Sequence, residues 1–327
     1  MVATARSLDE SAKSASLSPL PGGAACAEAS PVHVNPPMHR GKPIPDVGGA
    51  RVVDYGSLLS RSRAVYERIN AYRRYFDRHQ HKLAVFAATY VKSTQGVLEA
   101  LESDSKKPPS ERFFQDPGFI VELTERFSHR YFVAMHRIVC ESKMLPLGDA
   151  PPATQPRTDE PDCDPWRKIS DIISGRGTTA YIDFVYGALV HINYDLPIVL
   201  SGLGLYDSEG HTCGRTRIDD FKRFNAVLSG SIDAVQKDVI ERYDRGAWVI
   251  DALAFRLDER IGAFGVRRSR EQALADARRF ASGERDPLAF GSKFVGTLRW
   301  VARLFEPVRW LAVLTRTSNS RVWPPAV

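Results

Sequence analysis

The chain has 327 residues, 43% of them hydrophobic, a net charge of +6 and an isoelectric point near 9.1. That is enough apolar material for a sizeable core. The mild basic excess forms no concentrated run and comes with no zinc-finger, RNA-binding or helix-turn-helix pattern, so no nucleic-acid partner is expected.

Cys26, Cys140, Cys163 and Cys213 are far apart and make no CxxC pair. They fit neither a disulfide framework nor a zinc knuckle, and they point to a reducing, cytoplasmic setting. The first thirty residues carry Asp9, Glu10 and Lys13 and no apolar core, so no secretory signal is visible. No run of 18 apolar residues stands out, and a soluble protein is expected. Walker, GxGxxG, HExxH and GxSxG patterns are missing from the sequence.

Residues 1–56 are rich in Ala, Ser, Pro and Gly and read as a disordered leader, with Val52-Val53-Asp54-Tyr55 as the first stretch able to pack. From Ser57 to about Glu102 the spacing of Val65, Ile69, Tyr72 and Phe76, then of Leu83, Phe86, Tyr90, Val97 and Leu101, predicts two helices. His79 and His81 fall at their join and read as a surface turn. Lys106-Lys107-Pro108-Pro109 breaks the pattern. A third helix is predicted from Pro117 to Cys140, with the proline in its first turn. It carries His129 and His136, seven apart, which are either ordinary partly buried histidines or third ligands of a metal.

Residues 146–165 are proline- and acid-rich and read as a surface loop. A short helix follows over Trp166–Ser174, with a break at Gly175-Arg176-Gly177. Beyond the central segment, Asp207–Arg217 reads as a loop and about 219–242 as a long helix. Asp219 or Asp220 would cap that helix, or else close a pocket opposite the central segment. His211 and Cys213 have no second pair to make a zinc site. Further helices are predicted over 248–261 and 270–281. The tail, 290–315, mixes Trp300, Leu304 and Trp310 with Lys293, Arg299 and Arg303, and Pro307 interrupts it. It is either a helix packed on the bundle with its arginines snorkelling, or a peripheral membrane contact.

The central segment, about 178–206, is apolar apart from a few groups, and His191, Asn193 and Asp195 concentrate polarity at its middle. In a helix His191 and Asp195 share a face, with Gly187 one turn earlier leaving room beside the imidazole, while Asn193 points about 200° away. Pro197 removes a donor and should kink the helix, freeing the Asn193 carbonyl. Buried polar groups are costly without partners. They therefore either satisfy one another as a structural network or form a site. In the site, His191 would be a general acid/base or metal ligand, Asp195 would orient it, and Asn193 would contribute its side chain or carbonyl. A divalent metal would draw on His191, Asp195, His129, His136, Asp219 and Asp220. His-x-x-x-Asp alone supplies two ligands where three or four are needed.

Phe86-x3-Tyr90-x3-Thr94, Phe114-Gln115-Asp116-Pro117-x-Phe119, Phe127-x3-Tyr131-Phe132, Trp166, His191-Ile192-Asn193-x-Asp195-Leu196-Pro197 and Asp220-x3-Phe224-Asn225 follow one another in this order. Together, over about residues 60–250, they resemble the DUF5995 family, with the His-Ile-Asn-x-Asp-Leu piece the most specific. The resemblance implies an all-helical fold and marks His191, Asn193 and Asp195; it implies no reaction.

The expectation is one all-α domain over 57–327, of about eight helices packed round the central one. Two functions remain open. One is an enzyme with an apolar pocket, working by acid/base or metal-assisted hydrolytic chemistry on a small apolar or lipid-like molecule. The other is a non-catalytic protein that binds a hydrophobic ligand or a membrane surface.

Overall fold

The computed structural model describes residues 53–142, 145–156, 164–175, 178–243 and 259–314. The predicted leader up to residue 52 and most of the helix predicted over 248–261 lie outside the described residues. Among them the secondary structure is helical, with a lone antiparallel bridge between Tyr206 and Thr212.

The elements are α1 (Tyr55–Arg78), α2 (Leu83–Ser105), α3 (Pro117–Glu141), α4 (Asp164–Ser174), α5 (Ala180–Val190), a π-helical turn (His191–Asp195), α6 (Leu196–Ser201), α7 (Arg215–Tyr243), α8 (Glu259–Ala281) and α9 (Pro287–Leu314). Counting α5, the π-turn and α6 as one run gives eight helical rods among the described residues. The all-α expectation holds.

Short acids and a threonine set the starts of the helices by accepting orphan backbone N–H groups. Asp54 accepts from Ser57 N at 3.1 Å, Asp116 from Phe119 N at 2.9 Å, and Thr179 from Ile182 N at 3.3 Å. Pro117 occupies the first position of α3, where a missing N–H costs nothing.

Several boundaries differ from expectation. The central run ends at Ser201 rather than near 206, and α8 starts eleven residues before Arg270. Helix α9 runs on through Pro307, since a proline deletes one bond and need not end a helix. Helix α7 starts at Arg215, so neither Asp219 nor Asp220 caps it. Asp219 is solvent-facing and pairs with Lys222 at 3.5 Å. Asp220 is fully buried and binds the loop before α3, accepting from Gln115 N at 3.0 Å and Asp116 N at 2.5 Å, with Arg223 at 2.9 Å. Its carboxylate ties α7 to the start of α3.

The buried apolar residues form two clusters. One is aromatic and centred on Tyr72, Phe76, Phe86, Tyr131, Trp166 and Tyr186. The other is built from Leu101, Phe119, Leu123, Phe127, Leu196, Leu200 and Phe221. The π-turn lies at their seam, since His191 touches both Tyr90 of the first cluster and Phe127 of the second. Ile182–Ser201 is long and apolar enough to cross a membrane by composition, and most of it is buried among the other helices, as a core helix would be.

Candidate functional site

The five residues before Leu196 adopt a π-helical turn, and the Leu196 N–H reaches back five residues to the His191 carbonyl. Pro197 has no N–H to continue the ordinary ladder, so the kink expected from the proline takes this form. The wider turn fans its residues onto different elements. His191 and Asp195 face α2, α3 and α4, while Tyr194 stacks on Phe290 and Phe294 of α9 with ring centroids 6.0 and 5.8 Å away. Asn193 turns to a cleft of about 240 Å³ lined by Leu189, Gln272, Asp276, Phe290 and Phe294. It is thus set apart from His191, as the helical spacing indicated.

Asp195 is wholly buried and accepts three hydrogen bonds: from Trp166 Nε1 at 2.7 Å, Arg130 Nε at 3.0 Å and His191 Nδ1 at 3.2 Å. Burial pushes its carboxyl upward. The Arg130 guanidinium, His191 and Trp166 outweigh that in sum and hold it below the ordinary carboxylate value. The ionised acid can only accept, so the imidazole proton sits on Nδ1. Burial pushes the His191 pKa down, with the Asp195 hydrogen bond opposing it, so the ring is neutral at pH 7.

The imidazole is 4% exposed and packed among rings. It stacks on Phe127 at 3.6 Å with 12° between planes, and meets Tyr90 edge-on at 4.6 Å and Phe86 at 5.5 Å. Gly187 does not leave space beside it: a Cβ there would stand 2.4 Å from Phe86 Cδ2. Ser128 donates to the Thr124 carbonyl at 2.7 Å, which leaves the Tyr90 hydroxyl to donate to Ser128 at 2.7 Å. With Nδ1 committed to Asp195, His191 Nε2 is buried with no hydrogen-bond partner among the described residues, and so is the Tyr131 hydroxyl.

The other candidates do not join this group. His136 Nε2 lies 3.5 Å from Cys140 Sγ on α3 itself. No three His, Cys, Asp or Glu side chains among the described residues form a group able to hold a metal, His129, His136, Asp219 and Asp220 included. His79 pairs with Asp149 at 3.0 Å. His81 is partly buried in the turn between α1 and α2, and burial lowers its pKa to about 4. Sequence reasoning missed Arg130 altogether and gave Trp166 no role. Arg130 did leave a signal, because it falls three residues after Phe127 on the apolar face of α3.

No curated protein and no solved structure matches the chain. A family profile matches residues 62–146 and 149–299, reaching further than the 60–250 of the sequence resemblance and taking in all of α8. Over those residues the chain belongs to DUF5995, a family of unknown function.

Proposed function

We propose that this protein is an enzyme in which His191 moves a proton on a small substrate with an apolar body. One observation carries the reading: Asp195 fixes the tautomer through Nδ1, and among the described residues nothing engages the lone pair on Nε2 inside its apolar enclosure. A buried acceptor without a partner costs about 1–3 kcal/mol, a cost expected where a ligand supplies the missing donor. Asp195 orients the ring and stabilises the imidazolium formed when Nε2 takes a proton. Arg130 and Trp166 hold Asp195 in turn. The walls of Phe86, Tyr90, Phe127 and Tyr131 suit an apolar substrate and exclude water. Asn193 takes no part in the transfer in this reading.

Hydrolysis is the form tested most directly. The full-length protein assayed on p-nitrophenyl esters of short and medium acyl chains should show turnover above buffer. His191→Gln should lower it by roughly 10²–10⁴-fold, the usual contribution of a positioned acid/base. No turnover across the panel, or turnover that His191→Gln leaves unchanged, overturns the proposal.

The outer face of α9 favours a second, non-catalytic reading. Trp300, Leu304 and Trp310 are 59%, 56% and 63% exposed there, beside exposed Lys293, Arg299 and Arg303. Large apolar side chains interleaved with cations suit an anionic bilayer surface. Flotation with phosphatidylserine-containing vesicles should recover the protein, and Trp300→Ser with Leu304→Ser should reduce recovery several-fold. Equal recovery of the double variant removes this reading.

A further inference from the structure

Outside the dyad, the buried group hardest to account for is Arg270 on α8, which packs against the π-turn and α6. Its side chain is enclosed, the residue being 2% exposed. Nε donates to Asn225 Oδ1, and the guanidinium lies 4.9 and 5.1 Å from the ring centroids of Phe221 and Phe224. Nη2 is buried with no partner among the described residues. No carboxylate among them forms an ion pair with it, whereas Arg130 has Asp195. Burial lowers the Arg270 pKa to about 9, which still leaves it charged at neutral pH. Its charge bears on both His191 and Tyr90, so it belongs to the neighbourhood of the dyad.

Asp195 and Arg130 cancel, His191 is neutral, and among the described residues Arg270 remains as one cation with no carboxylate paired to it in a low-dielectric interior. Such a charge is strongly destabilising unless an anion meets it. Phe221 and Phe224 supply cation–π attraction, which is worth far less than a counter-ion.

We propose that Arg270 Nη2 binds the carboxylate of a small molecule whose apolar part lies against the surrounding aromatic rings. One negative charge matches one guanidinium, whereas a phosphate dianion would leave an excess negative charge buried. A carboxylate also fits the planar fork of an arginine. The proposal deepens the acid/base reading by naming its substrate class, and it rests on that reading only for the role of His191.

Sodium butyrate is a suitable probe, with 1-butanol and inorganic phosphate as controls, read by thermal melting of the full-length protein. A hundredfold excess of butyrate over Kd should raise Tm by about 5 °C. The alcohol and phosphate should not. Arg270→Met should lose the butyrate shift and, without ligand, melt no lower than the wild type. Arg270→Lys should keep a response roughly tenfold weaker in Kd. A butyrate shift that survives in Arg270→Met overturns the site, as does a phosphate shift exceeding that of butyrate. If Arg270→Met does not fold, equal shifts from butyrate and 1-butanol on the wild type overturn it. Binding and ester turnover are separate readouts. Lost binding with His191-dependent turnover intact sinks the carboxylate site alone, and the reverse sinks only the catalytic reading.

Discussion

Replacing Asp195 with alanine should cost about 3–5 kcal/mol, because it removes the carboxylate that pairs with the buried Arg130 guanidinium. Both side chains are fully buried, 3.0 Å apart, so water cannot screen the charge left behind. The substitution also orphans Trp166 Nε1 and His191 Nδ1, each of which donates to the same acid. Asp195→Asn should cost less, since the amide oxygen still accepts. Removing both charges, as Asp195→Leu with Arg130→Met, should recover much of the loss, because well-packed apolar pairs often equal a buried ion pair. Urea denaturation of the wild type, Asp195→Leu, Arg130→Met and the double variant reads the coupling directly. A loss below 1 kcal/mol in Asp195→Ala would show that the interior is wetter than the packing implies.

Acid should act on the wild type in the same direction. The pKa values of His191 and Asp195 are both depressed on folding, so each contributes stability above its unfolded value, near 6.5 and 3.8, and loses it as pH falls through the folded value. His81 and His136, also lowered by burial, add to the decline below about pH 6.5. The Asp195 phase, below pH 3.8, should be missing from Asp195→Ala.

Gly187→Ala is the second large effect. In an exposed helix the change would gain about 1 kcal/mol from propensity. Here the new methyl would lie 2.4, 2.5 and 2.8 Å from Phe86 Cδ2, Cγ and Cβ, all inside contact distance. Phe86 cannot step aside, because it is wedged against Trp166 at 5.3 Å, Tyr131 at 5.8 Å and His191 at 5.5 Å. Overpacking should win, for a net loss of about 2 kcal/mol and a Tm lower by several degrees. Phe86→Leu, itself destabilising, should relieve the clash, so the double variant should be more stable than additivity predicts. A Gly187→Ala protein as stable as the wild type would mean that α5 sits further from α2.

What the sequence disclosed and what it withheld follow from range. Helices α1, α2 and α3 were legible because periodicity and caps are local. His191 and Asp195 stood out because polar groups in an apolar run are also visible locally. Their partners were not. Arg130 and Trp166 are separated from Asp195 by 65 and 29 residues, and only packing brings them together. Asp220 looked like a helix cap because its local setting suited one, yet its acceptors are spent on a loop 105 residues away. Gly187 misled for the same reason: absence of a side chain signals either a space or a close neighbour, and only the position of Phe86 decides which.

The π-helical turn also sets a rule for how this chain can vary in length. It equals an ordinary helix carrying one surplus residue, anchored downstream by a proline that cannot re-pair. Deleting any one of Ile192, Asn193 or Tyr194 would restore regular pitch and leave the two flanks close to their present orientation, since the wide turn already absorbs the surplus residue. His191 and Asp195 would then stand three residues apart instead of four, and the hydrogen bond that fixes the imidazole would have to form at a different offset. Insertions and deletions should therefore gather in the connections on the outside of the bundle, while these few positions keep a fixed count.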